Sequence, residues 1–138
     1  MNKYRLVNLI ENFAPIELQE KWDSSGWVVE TAKSEIKKVL IALTVTEKVV
    51  SEAIENKCDM IISHHPLFFV PLKYNKINIY CAHTNFDKAK GGTTDILIKA
   101  LQMQGYSYND FVRIVELENI LLPESVCKLT MMTVGCRP

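Results

Sequence analysis

Near the N-terminus, Leu6, Leu9, Ile10 and Phe13 recur at three- and four-residue spacing. That period predicts an amphipathic helix ending near Pro15, since proline lacks an N–H and clashes with the preceding turn. The turn signal Ser24-Ser25-Gly26 precedes a short β-like run over 27–30. Residues 39–45 are apolar, β-branched towards their end and preceded by Lys37 and Lys38, which is the pattern of a buried strand. Thr46 then caps a helix with Glu47 in its first turn and Val49, Val50, Ala53 and Ile54 on its inward face, ending near Asn56-Lys57. Residues 60–63 read as the next buried strand, and this strand–helix–strand length suits a parallel, right-handed crossover. Residues 77–82 form a third core strand. Gly91-Gly92 leads into a helix over 93–104, with Ile96, Leu97, Ala100 and Leu101 inward and Gly105 as its stop. Residues 111–117 read as a strand on the sheet edge, and Pro123 opens a last helix through about Leu129. Strands alternating with helices predict an α/β fold, a mainly parallel sheet flanked by helices.

Composition narrows the class. The 138 residues suit one compact domain, and 48% hydrophobic with 23% charged residues excludes a disordered chain, a collagen-like fibre and a coiled coil. Sixteen Lys+Arg balance sixteen Asp+Glu, so no nucleic-acid partner is indicated. The longest apolar run, 39–43, has five residues, against the roughly twenty that a membrane span needs. No apolar h-region follows the first residues, so a cytoplasmic location and no membrane association are expected. Cys58, Cys81, Cys127 and Cys136 contain no Cys-x-x-Cys pair and read as reduced thiols rather than a zinc site.

The chemistry sits at the strand ends. All three histidines, His64, His65 and His83, directly follow expected core strands, and Asp87 lies four residues beyond His83 in the connection to the next helix. Ligands of open α/β sheets bind beyond the carboxyl ends of the strands. Adjacent imidazoles at a bending strand end can aim at two metal ions, and a carboxylate such as Asp87 can bridge them. Imidazole with carboxylate suits zinc, iron, manganese or nickel. A surface or hydrogen-bonded role for the histidine pair is the simpler alternative. Trp22 and Trp27 are expected as core anchors. Cys81 shares a strand face with His83 and is expected as a buried thiol rather than a nucleophile. Asp23 is the candidate general base.

Four segments resemble a known family. Asp59-Met60-Ile61-Ile62-Ser63-His64-His65-Pro66-Leu67-Phe68-Phe69 is similar to the double-histidine segment of the NIF-three-like proteins, also catalogued as GTP cyclohydrolase I type 2 homologues. Ile79-Tyr80-Cys81-Ala82-His83-Thr84-Asn85-Phe86-Asp87, followed by Gly91-Gly92, resembles their His-Thr-Asn-x-Asp segment. Trp22-Asp23-Ser24-Ser25-Gly26 and Leu43-Thr44-Val45-Thr46 resemble two further motifs, and all four occur in family order. The resemblance implies metal ligands at His64, His65 and Asp87 in a dinuclear centre, with His83 as an auxiliary group beside it. It implies a homo-oligomer, hexameric in the family, and a metal-dependent hydrolase activity of which the cyclohydrolase name is one version.

Three departures accompany it. Thr44 stands where the family has Asp. Only 17 residues separate His65 from His83, which shortens the segment around 70–75. The family completes its centre with a His and a Glu from a C-terminal half, and this chain has no His after His83. Residues 1–118 are therefore expected to form the N-terminal α/β domain of the family and 119–138 a truncated tail, with at most one well-held metal. Leu117, Ile120, Leu121, Leu122, Leu129, Met131 and Met132 are the apolar positions that such a cut would expose. Two further readings stand beside the hydrolase: a non-enzymatic oligomeric interaction protein, and a truncated copy with an incomplete metal site.

Overall fold

The computed structural model describes residues 1–107 and 109–116. They fall into two compact units, Met1–Ala89 and a second that begins at Lys90. The expected last helix from Pro123, the tail 119–138 and the apolar positions from Leu117 to Met132 lie outside the described residues.

The first unit runs α1 (Lys3–Phe13), β1 (Gly26–Val29), β2 (Val39–Ala42), α2 (Glu47–Glu55), β3 (Met60–Ser63), β4 (Asn78–Cys81) and α3 (Thr84–Lys88), with single 3-10 turns at Ile16–Leu18 and Leu72–Tyr74. The sheet order is β1-β4-β3-β2. β2, β3 and β4 are parallel, and β1 closes the other edge antiparallel to β4. The mainly parallel α/β expectation is met. α1 begins at Asn2, whose side chain accepts from the Tyr4 N–H at 2.9 Å, and stops before Pro15. Thr46 caps α2 by accepting from the Val49 N–H at 3.3 Å, as the sequence predicts.

Alternation along the strands builds a core on each sheet face. Ile61 and Ile79 point to one side and pack with Val50 and Ala53 of α2, together with Val29, Val45, Tyr74 and Ile77. Met60 and Tyr80 point to the other side and pack with Val7 of α1, Ile36 and Ala82. The buried anchor of α1 is therefore Val7, while Leu9 and Phe13 are exposed, and Ile54 of α2 is likewise exposed. β2 stops at Ala42 rather than at residue 45, because the chain turns there towards the Thr46 cap; Val45 is buried but lies outside the strand. Trp27 packs against the α1-side core, whereas Trp22, expected as a core anchor, is 65% exposed.

In the second unit α4 spans Thr93–Ala100, and β5 (Gly105–Ser107) pairs antiparallel with β6 (Arg113–Val115). The helix expected over 93–104 is shorter because Gln102 takes a left-handed conformation, φ 56°, that ends it. Gly105 opens β5 instead of stopping a helix. A Cβ there would lie 3.0 Å from the Ile114 carbonyl oxygen, Ile98 and Val115, so the close approach of the ribbon favours glycine. The strand expected on the edge of the main sheet is this ribbon's β6.

Candidate metal centre

Parallel pairing brings the candidate ligands together. Ser63 and Cys81 are register partners at the ends of β3 and β4, so His64 and His83 emerge along one sheet edge. β2 ends beside them, with Ala42 opposite Ser63, which places Thr44 at the same edge. β1 runs the other way, and Gly26 pairs with Cys81. The segment 23–25 that enters β1 therefore also reaches this edge, far in sequence from the histidines. Asp87 lies within α3, not in a loop. His83 caps this helix, its carbonyl accepting from the Asp87 N–H at 3.0 Å, which returns the aspartate one turn above the histidine.

Potential ligand atoms of His64, His83 and Asp87 all lie within 4.8 Å of one another. The His64 Nε2 is 3.5 Å from Asp87 Oδ1. The His64 Nδ1 lies 3.0 Å from the Ala82 carbonyl oxygen. A carbonyl only accepts, so Nδ1 carries a proton, and Nε2, on the side of Asp87, is the atom His64 can offer to a metal. His83 turns its own Nδ1 to Asp23 at 3.0 Å, and its ring centroid is 5.0 Å from that of His64. Each side chain of the trio is partly buried. Two imidazoles and a carboxylate, with at least one imidazole locked as a donor of Nε2, form a set that fits a divalent transition metal.

His65 stands beside this trio rather than within it. It is exposed, its ring lies 5.3 Å from that of His64 and 6.0 Å from that of His83, and its Nδ1 is 2.7 Å from Thr44 Oγ1. Of the three ligands that the resemblance implies, the structure thus gathers His64 and Asp87, and adds His83, which the sequence pointed to as an auxiliary group. Trp22 stands edge-on to His83, with centroids 6.2 Å apart.

Asp23 is not placed as a general base. Its side chain is fully covered and accepts from the Ser24 N–H (2.7 Å), the Ser25 hydroxyl (2.9 Å), the Thr84 N–H (3.0 Å) and the Thr84 hydroxyl. Burial pushes its proton affinity up, but the hydrogen bonds from Thr84, His83, Ser25 and Ser24 outweigh that and hold the carboxyl well below its ordinary range. Such a group is a poor proton acceptor at neutral pH. Cys81 is buried, donates to the His64 carbonyl at 3.1 Å, and has its thiol pushed up to about 12, chiefly by burial. It is the inert strand thiol expected from the sequence. The Ser24-Ser25-Gly26 turn signal was legible, but its arrival at the site depends on the antiparallel sense of β1.

Residues 1–134 match the family described as Duf34/NIF3 (NGG1p interacting factor 3). A GTP cyclohydrolase 1 type 2 homolog of Clostridium perfringens is 38% identical over 112 residues, covering 70% of this chain and 43% of that protein. One of the same description from Clostridium acetobutylicum is 34% identical over 148 residues, covering 88% and 55%. The chain spans about half the length of these curated relatives. Among solved structures, reduced HcgD from Methanocaldococcus jannaschii superposes with a TM-score of 0.79 at 29% identity, covering 96% of this chain and 60% of that one. A Bacillus cereus protein related to NIF3 gives 0.66 at 41% identity, covering 75% and 33%.

Proposed function

This chain belongs to the Duf34/NIF3 family, and from that premise we propose that it is a divalent-metal-binding protein whose centre supports metal-assisted hydrolysis. The observation that carries the reading is the convergence of His64, His83 and Asp87 at the carboxyl edge of the sheet. These three hold the first ion, drawn from zinc, iron, manganese and nickel. His65 is the donor for a second, more weakly held ion, with Asp87 able to serve both. When bound, the metal supplies Lewis acidity towards a substrate oxygen. The chain's own part is to present two or three imidazoles just beyond the ends of β3 and β4 and one carboxylate from α3. The Ala82 carbonyl orients His64, and the Thr44 hydroxyl holds His65.

Metal titration of the chelator-treated protein tests the binding reading. The native chain is expected to take one tight equivalent. His64→Ala is expected to lose it, and His65→Ala to keep it while losing any second. A native chain that takes up no divalent metal overturns the reading. The hydrolase reading is tested by metal-dependent turnover, with GTP as the first substrate because the relatives' name points to it, and phosphoesters next. Turnover no greater than that of His64→Ala overturns it.

A second reading, a non-enzymatic protein that self-associates, is favoured by a separate observation. Directly after the histidine pair, Phe68, Phe69 and Leu72 are all exposed, and so are Ile41 in β2 and Leu43 just beyond it, β2 being the edge strand of this sheet among the described residues. Exposed apolar clusters and open strand edges favour association between copies. Metal binding without turnover, together with a concentration-dependent mass, would select this reading.

A further inference from the structure

We propose that Asp23 is a positioning residue that makes His83 a metal ligand, by holding its Nδ1–H and leaving Nε2 free to bind. The inference rests on the metal-binding reading above and assigns a role that neither His83 nor Asp23 has from the sequence motifs.

The geometry is a two-point clamp. The His83 backbone N–H donates to the Ser25 hydroxyl at 3.1 Å, and its ring Nδ1 meets Asp23 Oδ1 at 3.0 Å. Both grips come from the segment that enters β1, so the imidazole is fixed at the backbone and at the ring. The Asp23 carboxylate is itself immobilised. Oδ1 takes the Ser24 N–H besides His83, and Oδ2 takes the Ser25 hydroxyl, the Thr84 N–H and the Thr84 hydroxyl. Thr84 Oγ1 accepts in turn from the Glu20 N–H at 2.9 Å, which leaves its own proton for Asp23. Every partner of the carboxylate is a donor, and a carboxylate only accepts. The proton between Asp23 and His83 therefore sits on Nδ1. That leaves Nε2 as the atom His83 can offer to the group it forms with His64 and Asp87.

The arrangement also explains why His64 and His83 use different devices for one end. His64 is fixed by a backbone carbonyl of the neighbouring strand, a neutral acceptor. His83 is fixed by a charged acceptor, which additionally strengthens the imidazole as an electron donor. An asparagine at position 23 has one accepting oxygen and a donating NH2 group. It would set a donor against either His83 Nδ1 or the Thr84 N–H, whichever way the amide turned.

The experiment uses the full chain without metal, labelled with 15N. Long-range proton–nitrogen correlation spectra report the tautomer of each imidazole, and the chain's three histidines are assigned with His64→Gln and His65→Gln. His83 is expected as the Nδ1–H tautomer in the native chain, and Asp23→Asn is expected to abolish that preference. Zinc chloride titration by calorimetry is expected to show about 10–100-fold weaker binding in Asp23→Asn. The same substitution on a His83→Gln background is expected to change the affinity no further, because Asp23 acts only through His83. An unchanged affinity, or an equal loss on both backgrounds, overturns the proposal. So does a native His83 in the Nε2–H form, which decides the matter even if Asp23→Asn does not fold. A native chain that binds no zinc overturns the metal-binding reading instead, and the tautomer of His83 still decides the role of Asp23.

Discussion

Asp59 shows how much a single buried carboxylate contributes away from the site. It sits at the mouth of β3, accepts from the Lys37 N–H at 2.7 Å and the Lys38 N–H at 2.9 Å, and pairs with Lys33. The Lys33 side chain and then the two backbone N–H groups hold its carboxyl down to about 2, against an ordinary 3.8. A depressed folded-state value means that the unfolded chain binds the proton more readily. The stabilisation is thus complete above the ordinary carboxyl range and is lost as pH falls towards 2. Melting temperature followed between pH 2 and pH 6 is expected to fall more shallowly on the acid side in Asp59→Asn than in the native chain. At neutral pH the variant is expected to be about 1–2 kcal/mol less stable, because the amide oxygen accepts these bonds without the charge that strengthens them and that pairs with Lys33. Cys81 yields a second expectation at this scale. Alkylation of the native protein at pH 8 followed by peptide mapping should leave Cys81 unmodified, and denaturation should expose it, since a buried thiol pushed up to about 12 offers almost no thiolate. The residue scale is also where the sequence was partly legible. That His64 and Asp87 would lie near each other was readable because both were expected beyond the carboxyl ends of core strands. The contact between Asp23 and His83 was not, because a hydrogen bond across 60 residues follows from how β1 pairs with β4.

Two elements carry strain and capping in ways that a pair of substitutions can separate. Gly26 opens β1 with φ at +119°, a region that side chains rarely adopt. It stands directly after the segment that grips His83 and pairs with Cys81. Gly26→Ala is expected to cost about 1–3 kcal/mol and, by shifting residues 23–25, to weaken zinc binding as well. Thr46→Ala, which removes the α2 cap, is expected to cost about 0.5–2 kcal/mol and to leave zinc affinity unchanged. Chemical denaturation beside calorimetry checks both. Equal zinc affinity in the two variants would mean that the entry to β1 does not shape the site. The elements themselves were largely legible from period and caps: α1, α2, β3 and the Pro15 stop follow from local pattern. α3 was missed because five residues, Thr84–Lys88, show too little periodicity to register as a helix. Gly105 was misread because glycine after an apolar run signals a helix stop and a close strand approach alike, and only the contacts with Ile114, Ile98 and Val115 decide between them.

At the scale of the whole molecule the parallel sheet was predictable, since strands separated by helical stretches have few other ways to pair. The antiparallel β1 was not, because a four-residue strand fits either sense, and the sense depends on which sheet edge is open. That openness sets the last expectation. Within the first unit the sheet ends at β2, where Ile41 is 80% exposed and Leu43 just beyond it is exposed too, and the stretch after the histidines leaves Phe68 88% exposed, with Phe69 and Leu72 close behind. Isolated exposed apolar residues are ordinary, but five of them at one open strand edge and in one loop are the composition of an association surface. Net formal charge is zero, so no long-range repulsion keeps copies apart. Light scattering across a concentration series is therefore expected to give a mass that rises above the 15.8 kDa of one chain. Phe68→Ser with Phe69→Ser is expected to bring it back towards that value while leaving zinc affinity intact, since neither residue belongs to the ligand trio. A single-chain mass at every concentration would remove the self-association reading and leave the metal centre as the chain's one functional feature among the described residues. A double variant that lost zinc along with association would instead show that the loop after His65 braces the centre, and that metal binding and assembly are one property of this sheet edge.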